Sequence, residues 1–209
     1  MTTRSFDLIE TMRFEALDGF VELDRHLDRM KASADALGFV FNRHDCRNDL
    51  QASTFRLTAD ARIRLMLASS GALAIEVRAL PERPAEPVDV AIVPLPVPVG
   101  DPRLRHKTSD RAFLDDARRR AGTFEVIFAA PDGLLTEGSF TNIFVPDPAG
   151  GGLVTPRSGS LMPGVLRRRL LDEGAAIEGD LRAADLAGGF FIGNSLRGLI
   201  AARLVSAHD

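Results

Sequence analysis

The sequence contains no tyrosine, no tryptophan and a single cysteine, Cys46. Any role of a phenol or an indole in a binding site must therefore fall to another side chain, and an internal disulfide is excluded because it needs two thiols. No run of basic residues suggests a nucleic-acid surface and the net charge is -3, so we expect no nucleic-acid partner. No N-terminal signal pattern or long apolar span is evident either, which predicts a cytoplasmic protein without a membrane partner.

Three segments in the first half of the sequence have strand character: residues 5–14, 61–67 and 72–80. Extended backbone would place Thr11 and Arg13 on the same side of the first segment. A Ser-Ser-Gly turn separates the other two segments, which predicts a hairpin with Arg62 and Arg64 on one face. The 209 residues suffice for a substantial core, in one large domain or in two small domains that share an interface.

Two helices are predicted between these strands. Apolar residues at helical spacing predict a helix with Asp24 as its N-cap and a stop at Gly38. Arg29 borders the apolar face of this helix; such arginines are mostly solvated, and a ligand role is the alternative. A second, weaker helix is predicted over residues 48–61. Mixed strands and helices indicate an α/β protein.

The middle of the chain is rich in proline and predicts a domain boundary. Residues 88–99 form an apolar run, but the prolines in its second half exclude a central strand there. An edge strand followed by an extended linker fits this pattern. The predicted organisation is a small N-terminal α/β subdomain, a linker and a larger C-terminal subdomain, over residues 1–93, 94–101 and 102–209.

Lys107 directly precedes a predicted helix for which Ser109 or Asp110 is the expected N-cap. A lone lysine is usually a solvated surface group. At a junction of linker and helix, however, the side chain can be held in a cleft, where Arg105, His106 and the helix N-terminus would disfavour its positive charge. Lys107 is therefore a candidate reactive amine.

Glu137 lies between a Pro-Asp-Gly turn and the apolar strand predicted at residues 142–145. A carboxylate that enters an apolar strand costs several kcal/mol unless a cation or a hydrogen-bond donor meets it. Glu137 therefore implies a partner, unless it is an ordinary loop glutamate that stays in water.

Hydrogen-bond donors follow in the last third of the chain. Gly164 precedes a predicted helix that is closed by Gly174, and the free N–H groups of such a helix start can bind an anion; an ordinary cap is the alternative. Asn194 and Ser195 end a predicted strand, where α/β proteins often carry binding residues. Together with Lys107, Glu137 and an arginine on an amphipathic helix, these groups match the requirements of pyridoxal 5'-phosphate.

The motifs HKTSDR, LLTEGSFTNIFV, TPRSGSLMPGVLRRRLL and FFIGNSLRGL occur in that order. They resemble the fold-type IV pyridoxal phosphate enzymes, that is, the class IV aminotransferase family, and the resemblance runs from about Phe6 to Leu204. It implies the two-subdomain α/β fold of the D-amino acid aminotransferase-like enzymes, with the cofactor in the interdomain cleft. It also implies a homodimer.

The resemblance further implies roles for individual residues. Lys107 matches the Schiff-base lysine, Glu137 the partner of the pyridine nitrogen, and Arg29 the arginine that grips the phosphate. The other implied cofactor contacts are Met162, Gly164, Val165, Leu166, Asn194 and Ser195. Leu166 stands where the aminotransferases usually have threonine, so only its backbone N–H remains as a donor. The tyrosine that many relatives place near the ring hydroxyl is missing, and Arg111 is a guess for its replacement.

Two further segments resemble the 4-amino-4-deoxychorismate lyases of this family: GNSLRG and the opening FDLIETMRFEALDGFVELDRHLDRM, which is similar to the lyase module fused behind aminodeoxychorismate synthase component I. This implies release of pyruvate and 4-aminobenzoate for folate synthesis, with aminodeoxychorismate synthase as a functional partner. Lys107 would remove the ring proton, and Thr11 would help to protonate the departing enolpyruvyl group. The candidates for binding the substrate carboxylates are Arg13, Arg62, Arg64 and Arg197.

Two alternatives remain open at this point. The first is an aminotransferase that acts on branched-chain or D-amino acids, since it would use the same residues. The second is a degenerate member of the family that has lost its chemistry and serves as a structural or regulatory partner.

Overall fold

The computed structural model of the chain describes residues 6–157 and 161–206, and its mixture of helices and strands confirms the predicted fold class. The chain divides into two compact units. The first comprises residues 1–82 and 106–110, and the second comprises residues 83–105 and 111–209. The second unit therefore includes the predicted linker at residues 94–101.

The first unit is an antiparallel sheet of four strands in the order β2-β1-β3-β4 with two helices. The strands are β1 Leu8–Glu15, β2 Gly19–Phe20, β3 Ala61–Leu67 and β4 Leu73–Ala79. The helices are α1 Leu23–Leu37 and α2 Arg43–Thr54. On one face of β1, Leu8, Met12 and Phe14 pack in an apolar core with Leu27 and Met30 of α1.

The ends of the two helices show how local chemistry decides their boundaries. Helix α1 stops at Gly38 as predicted, because glycine takes the left-handed conformation there (φ 68°) at no steric cost. The predicted N-cap was wrong: Glu22 occupies that position, and Asp24 lies in the first turn. The predicted start of α2 was also wrong, since the Asn42 side chain accepts hydrogen bonds from the first N–H groups and begins the helix at residue 43.

The second unit contains an eight-stranded sheet in the order β10-β9-β8-β11-β12-β5-β6-β7. Its strands are β5 Val88–Pro94, β6 Glu125–Ala129, β7 Leu135–Gly138, β8 Asn142–Pro146, β9 Leu153–Pro156, β10 Ala176–Gly179, β11 Phe190–Asn194 and β12 Gly198–Leu204. Its α-helices are α3 Ala112–Ala121 and α4 Val165–Asp172. Ile127, Ile143 and Ile192 are fully buried in the core of this sheet.

Two predictions for the second unit were wrong. Strand β5 is not an edge strand but lies between β12 and β6, parallel to both. It ends at Pro94, so the later prolines follow the strand and interrupt no ladder. Neither Ser109 nor Asp110 caps α3: Arg111 holds the N-cap position without a side-chain cap, and Ser109 Oγ accepts a hydrogen bond from Asp7 N.

The helices of the described part of the chain are too short or too polar to span a lipid bilayer.

Candidate functional site

The Lys107 segment adds to the edge of β1 in the first unit. Leu8 forms an antiparallel bridge with Thr108, and Ile9 N donates a hydrogen bond to Lys107 O at 2.8 Å. Leu8 and Thr108 are both buried, and side chains of neighbouring residues in a strand point to opposite faces. Lys107 precedes this bridge and lies outside a regular strand, and its charge acts on the buried His26. Ile9 and Thr11 lie on the face of β1 opposite to Leu8.

Arginines surround Thr11 on this face. Thr11 pairs with Arg64 in the register of β1 and β3, and Arg13 pairs with Arg62. Arg13 Nη2 donates a hydrogen bond to Asp60 Oδ2 at 2.9 Å, so its charge is partly compensated. The Nε atom of Arg64 is buried and has no hydrogen-bond partner among the residues that the structure describes. Since a buried N–H without a partner costs free energy, Arg64 is suited to binding an anionic ligand.

Arg29 is held on the opposite face of β1 by a buried carboxylate. Its Nε and Nη2 atoms donate to Glu10 Oε1 at 2.8 Å and Glu10 Oε2 at 2.6 Å, which is a bidentate pair. Glu10 is 1 % exposed. Burial alone would raise the pKa of Glu10, but the charge of Arg29 and the hydrogen bonds from His26 and Arg29 together lower it to about 2. Glu10 is therefore ionised at neutral pH and anchors Arg29.

His26 completes this cluster. Its Nδ1 atom lies 2.7 Å from Glu10 Oε2, and the side chain is fully buried. Burial, the largest effect, lowers the pKa of His26 in spite of the opposing effect of Glu10. The ring is therefore neutral near pH 7, and because a carboxylate can only accept, Nδ1 carries the hydrogen.

In the second unit, Glu137 lies on β7 and is 4 % exposed. The loop that follows it is fixed by a second buried carboxylate, Glu125, at the start of β6. Glu125 accepts five hydrogen bonds, from Val126 N, Ser139 N, Ser139 Oγ, Phe140 N and Thr141 Oγ1, at 2.6–3.0 Å. Burial raises the pKa of Glu125, and these hydrogen bonds oppose that effect. The backbone on the C-terminal side of Glu137 is thus held in one conformation.

Close packing tightens the same loop further. A Cβ atom at Gly138 would lie 2.5 Å from Thr141 Oγ1 and 2.8 Å from Glu125 Oε2, so only glycine fits there. Arg111 Nη2 donates a hydrogen bond to Ser139 O on the other side of the loop. Arg111, the residue guessed as a substitute for the missing tyrosine, is therefore hydrogen-bonded to Ser139, which lies two residues after Glu137. Its contact with a cofactor stays a prediction.

Helix α4 presents its N-terminus without a side-chain cap. Gly164 is the N-cap, and a Cβ atom there would overlap Asn142 Oδ1, while Asn142 Nδ2 donates to Met162 O at 3.3 Å. The first N–H groups of a helix have no carbonyl partner within it, and those of Val165 and Leu166 are among them. The Leu166 side chain is buried in an apolar cluster, so its backbone N–H is the group that it offers to a ligand.

The turn between β11 and β12 carries the last predicted residues. Asn194 Oδ1 accepts from Leu196 N at 3.1 Å and Arg197 N at 3.0 Å, and its Nδ2 donates to Phe140 O at 3.1 Å. Asn194 therefore ties this turn to the loop after Glu137. Ser195 lies half-buried within the turn, and the Arg197 guanidinium is 5.9 Å from the centroid of the Phe124 ring.

The predicted site residues are thus distributed over both units. The first unit holds Thr11, Arg13, Arg29, Arg64 and Lys107, and the second holds Glu137, Met162, Gly164, Val165, Leu166, Asn194, Ser195 and Arg197. In the first unit, strand register pairs Thr11 with Arg64. In the second unit, Gly164 N donates to Met162 O, and Arg197 N donates to Asn194 Oδ1. Their roles toward a ligand stay predictions.

Similarity to known proteins identifies the family of the chain. The model of a family described as amino-transferase class IV matches residues 7–205. The chain belongs to this class IV family. A solved protein of Mesorhizobium loti, provisionally described as an amino-acid aminotransferase, is 37% identical, with a TM-score of 0.87 and coverage of 96% of this chain and 100% of its own. No curated protein matches significantly.

Two more distant structures show the fold of the class IV family. A protein of Legionella pneumophila, provisionally described as a 4-amino-4-deoxychorismate lyase, is 20% identical, with a TM-score of 0.79 and coverage of 95% of this chain and 82% of its own. A hypothetical aminotransferase of Mycobacterium tuberculosis in a PLP-bound form is 19% identical, with a TM-score of 0.81 and coverage of 98% and 83%. These comparisons confirm the resemblance to the class IV family.

Three buried residues of this class IV protein were missed by the sequence prediction: Glu10, His26 and Glu125. A signal for two of them was present. In LIETMRF, Glu10 occupies the same strand face as the apolar Leu8, Met12 and Phe14, and Glu125 begins the apolar strand EVIFA. A carboxylate within an apolar strand implies a partner, so the argument that selected Glu137 applies to both residues equally. His26 gave no such signal, because a lone histidine on a helix does not reveal which residue it faces.

Proposed function

We propose that this member of the class IV family is a pyridoxal 5'-phosphate-dependent 4-amino-4-deoxychorismate lyase, which releases pyruvate and 4-aminobenzoate for folate synthesis. The observation that carries the proposal is Arg64, which pairs with Thr11 in the register and keeps its buried Nε without a partner among the described residues. Aminodeoxychorismate has a ring carboxylate and an enolpyruvyl carboxylate, so a face with several arginines suits it. A branched-chain amino acid has one carboxylate and needs an apolar pocket instead.

The residues present fit the cofactor. The uncapped N-terminus of α4, with a glycine where a Cβ atom would overlap Asn142, leaves backbone N–H groups for a phosphate. As the family resemblance implies, Arg29 would grip the phosphate, and Lys107 and Glu137 would supply the amine and the carboxylate that the cofactor ring requires. When bound, the cofactor would supply an electron sink for the charge that remains after proton removal.

The chain's own residues would then divide the remaining work. The guanidinium of Arg64, with those of Arg13 and Arg62, would bind the substrate carboxylates and orient the ring. Lys107 Nζ would remove the proton from the ring carbon that bears the amine, and the Glu137 carboxylate would keep a proton on the pyridine nitrogen. Thr11 Oγ1 would deliver a proton to the departing enolpyruvyl group, which leaves as pyruvate while the ring becomes aromatic.

The proposal includes two partners. The first is a second copy of the chain in a homodimer, and the second is aminodeoxychorismate synthase as the source of the substrate. Both rest on the family resemblance.

The experiment that tests the function is an absorbance spectrum with pyridoxal 5'-phosphate combined with an assay of pyruvate release from aminodeoxychorismate. Lys107→Ala should abolish the long-wavelength band of the bound cofactor and pyruvate release together. Lys31→Ala is the matched control, because Lys31 is exposed and pairs with Asp35 on α1 at 2.7 Å. Turnover that persists in Lys107→Ala would contradict the proposed role of Lys107.

An amino-acid aminotransferase is the second candidate, because the Mesorhizobium loti protein so described is 37% identical. It would bind the same cofactor and show the same band. Half-transamination of free branched-chain or D-amino acids, without pyruvate release from aminodeoxychorismate, would establish this alternative.

A further inference from the structure

Helix α4 carries three consecutive arginines at residues 167–169, and the first of them is buried. Such a run usually forms a solvated surface. Arg168 follows this rule, since it is exposed and pairs with Asp172 on the same helix. Arg167, in contrast, is only 4 % exposed. A buried charge costs free energy unless it is paired and hydrogen-bonded, so the position of Arg167 needs an explanation.

The contacts of Arg167 tie the first turn of α4 to the sheet. Its Nη2 atom donates to Pro156 O, at the end of β9, at 2.6 Å and also to the carboxylate of Glu178 on β10. The Glu178 side chain is 34% exposed, so solvent weakens its attraction to the guanidinium. The Nε atom of Arg167 is buried and has no hydrogen-bond partner within residues 6–157 and 161–206. This side chain therefore links the third residue of the helix to the last residue of the strand that precedes it.

The location is unfavourable for a cation. The N-terminus of a helix carries a partial positive charge, so acidic residues stabilise the first turn and a cation destabilises it. The first turn of α4 has no acidic residue, and its N-cap, Gly164, makes no side-chain hydrogen bond. The turn itself supplies no negative charge to offset Arg167, and helix stability therefore does not explain why an arginine is buried there.

A second contact holds the same helix start. Asn142, on the neighbouring strand β8, packs so closely against Gly164 that a Cβ atom there would lie 1.8 Å from Asn142 Oδ1. The start of α4 is thus held at two points, by Asn142 at the N-cap and by Pro156 through Arg167. Two attachments to adjacent strands fix the direction of the first N–H groups of the helix, which are the predicted donors to the phosphate.

We infer that Arg167 is a positioning residue, which holds the first turn of α4 so that its backbone N–H groups point at the phosphate of the cofactor. This inference rests on the proposed function, since it takes pyridoxal 5'-phosphate as the ligand. Arg167 acts through the helix start and not by touching the ligand. Its loss should affect the phosphate in particular, because Lys107 and Glu137 hold the rest of the cofactor in the proposed site.

The test compares pyridoxal 5'-phosphate with pyridoxal, which lacks the phosphate, in absorbance titrations of the protein freed of cofactor. Arg167→Gln shortens the side chain and removes its charge. It should weaken binding of the phosphorylated compound about tenfold or more, as loss of residues that orient ligand-holding groups does at metal sites, and leave pyridoxal binding unchanged. Arg167→Lys keeps the charge without the planar guanidinium, and it should give a smaller fall in the ratio of the two affinities. It also replaces Arg167→Gln if that variant does not fold.

Two controls separate positioning from a general effect of charge and from a loss of stability. Arg168→Gln removes the neighbouring positive charge of the same helix but leaves the tie to Pro156, so the ratio of affinities should stay unchanged. Leu186→Ala removes a side chain that is 2 % exposed from the core of the same unit. It should lower the temperature of thermal unfolding and leave the ratio unchanged.

Each other outcome overturns the inference. Equal weakening of both compounds by Arg167→Gln would mean a structural role, and an unchanged ratio would mean that the tie to Pro156 does not affect the phosphate. A full ratio in Arg167→Lys, or an equal fall in Arg168→Gln, would mean that charge acts rather than position. If the unmodified protein bound neither compound, the proposed function would fail and the inference with it. A preference of the unmodified protein for the phosphorylated compound separates the other results from that failure.

Discussion

Replacement of Glu10 by glutamine should lower the free energy of unfolding far more at neutral pH than in acid. The pKa of Glu10 falls from an ordinary 4.5 to about 2 in the folded chain, which corresponds to about 3 kcal/mol of stability for a residue that is 1 % exposed. The unfolded state binds the proton more readily, so this stability is fully present above about pH 5. It is lost progressively as the pH falls through 4.5 toward 2.

His26 changes stability in the same direction over a different pH range. Burial, the largest effect, lowers its pKa below the ordinary 6.5, so protonation favours the unfolded state once the pH falls below that value. The charged groups that affect the pKa of His26 include Glu10, Arg29 and Lys107. Acid should therefore weaken the first unit in two steps, first through His26 and then through Glu10.

The assay is denaturant-induced unfolding at several pH values between about 7 and 3, followed by far-ultraviolet circular dichroism. Fluorescence is unsuitable because the sequence has neither tryptophan nor tyrosine. Asp35→Asn is the control, since Asp35 is an exposed carboxylate on α1 of the same unit and pairs with Lys31. The difference between Glu10→Gln and the unmodified protein should be about 3 kcal/mol at pH 7 and should shrink toward pH 3. A difference that stays constant with pH would refute the reasoning.

Two further predictions concern the candidate site. Gly138→Ala should reduce stability by about 1–3 kcal/mol and weaken cofactor binding, because the added Cβ would displace Glu125 and Thr141. A thermal melt measures the stability, and a titration measures the binding. Gly188→Ala is the control and should change neither quantity, because a Cβ atom there meets open space. Arg64→Gln should raise the KM for aminodeoxychorismate about tenfold to hundredfold with little change in kcat, since a hydrogen bond to a charged group contributes about 1.5–3 kcal/mol. Arg168→Gln, an exposed change on α4, is its control, and an equal rise in KM in both variants would argue against a carboxylate contact of Arg64.

Local chemistry made much of the fold predictable. Helix α1 and its end at Gly38 follow from apolar spacing and from the conformational freedom of glycine. The hairpin of β3 and β4 follows from alternation around a short turn. Both features depend on residues close together in the sequence, which is the range over which such patterns act.

Errors arose where distant residues decide the structure. The apolar run before Pro94 gave no indication that β12 and β6 would flank it, because those strands lie far away in the sequence. The start of α2 was misplaced because the capping by Asn42 competes with a helix pattern that is weak in itself. In the candidate site, the motifs identified Lys107, Glu137 and Arg29. The residues that hold these side chains in place could be recognised only from the register of β1 and from the path of the loop after Glu137.

The burial of two glutamates, Glu10 and Glu125, calls for an explanation beyond stability, and the proposed function supplies one. Glu10 and Glu125 each require several donors to offset the cost of burial, and apolar residues of similar size often stabilise a core as well or better. Stability alone therefore does not explain them. Each one instead fixes a group next to a predicted ligand contact: Glu10 fixes the guanidinium of Arg29, and Glu125 fixes the loop that follows Glu137. A site that must hold a phosphate and a pyridine nitrogen in defined places needs both kinds of support, because a side chain that is free to rotate would lose much of its binding energy to ordering.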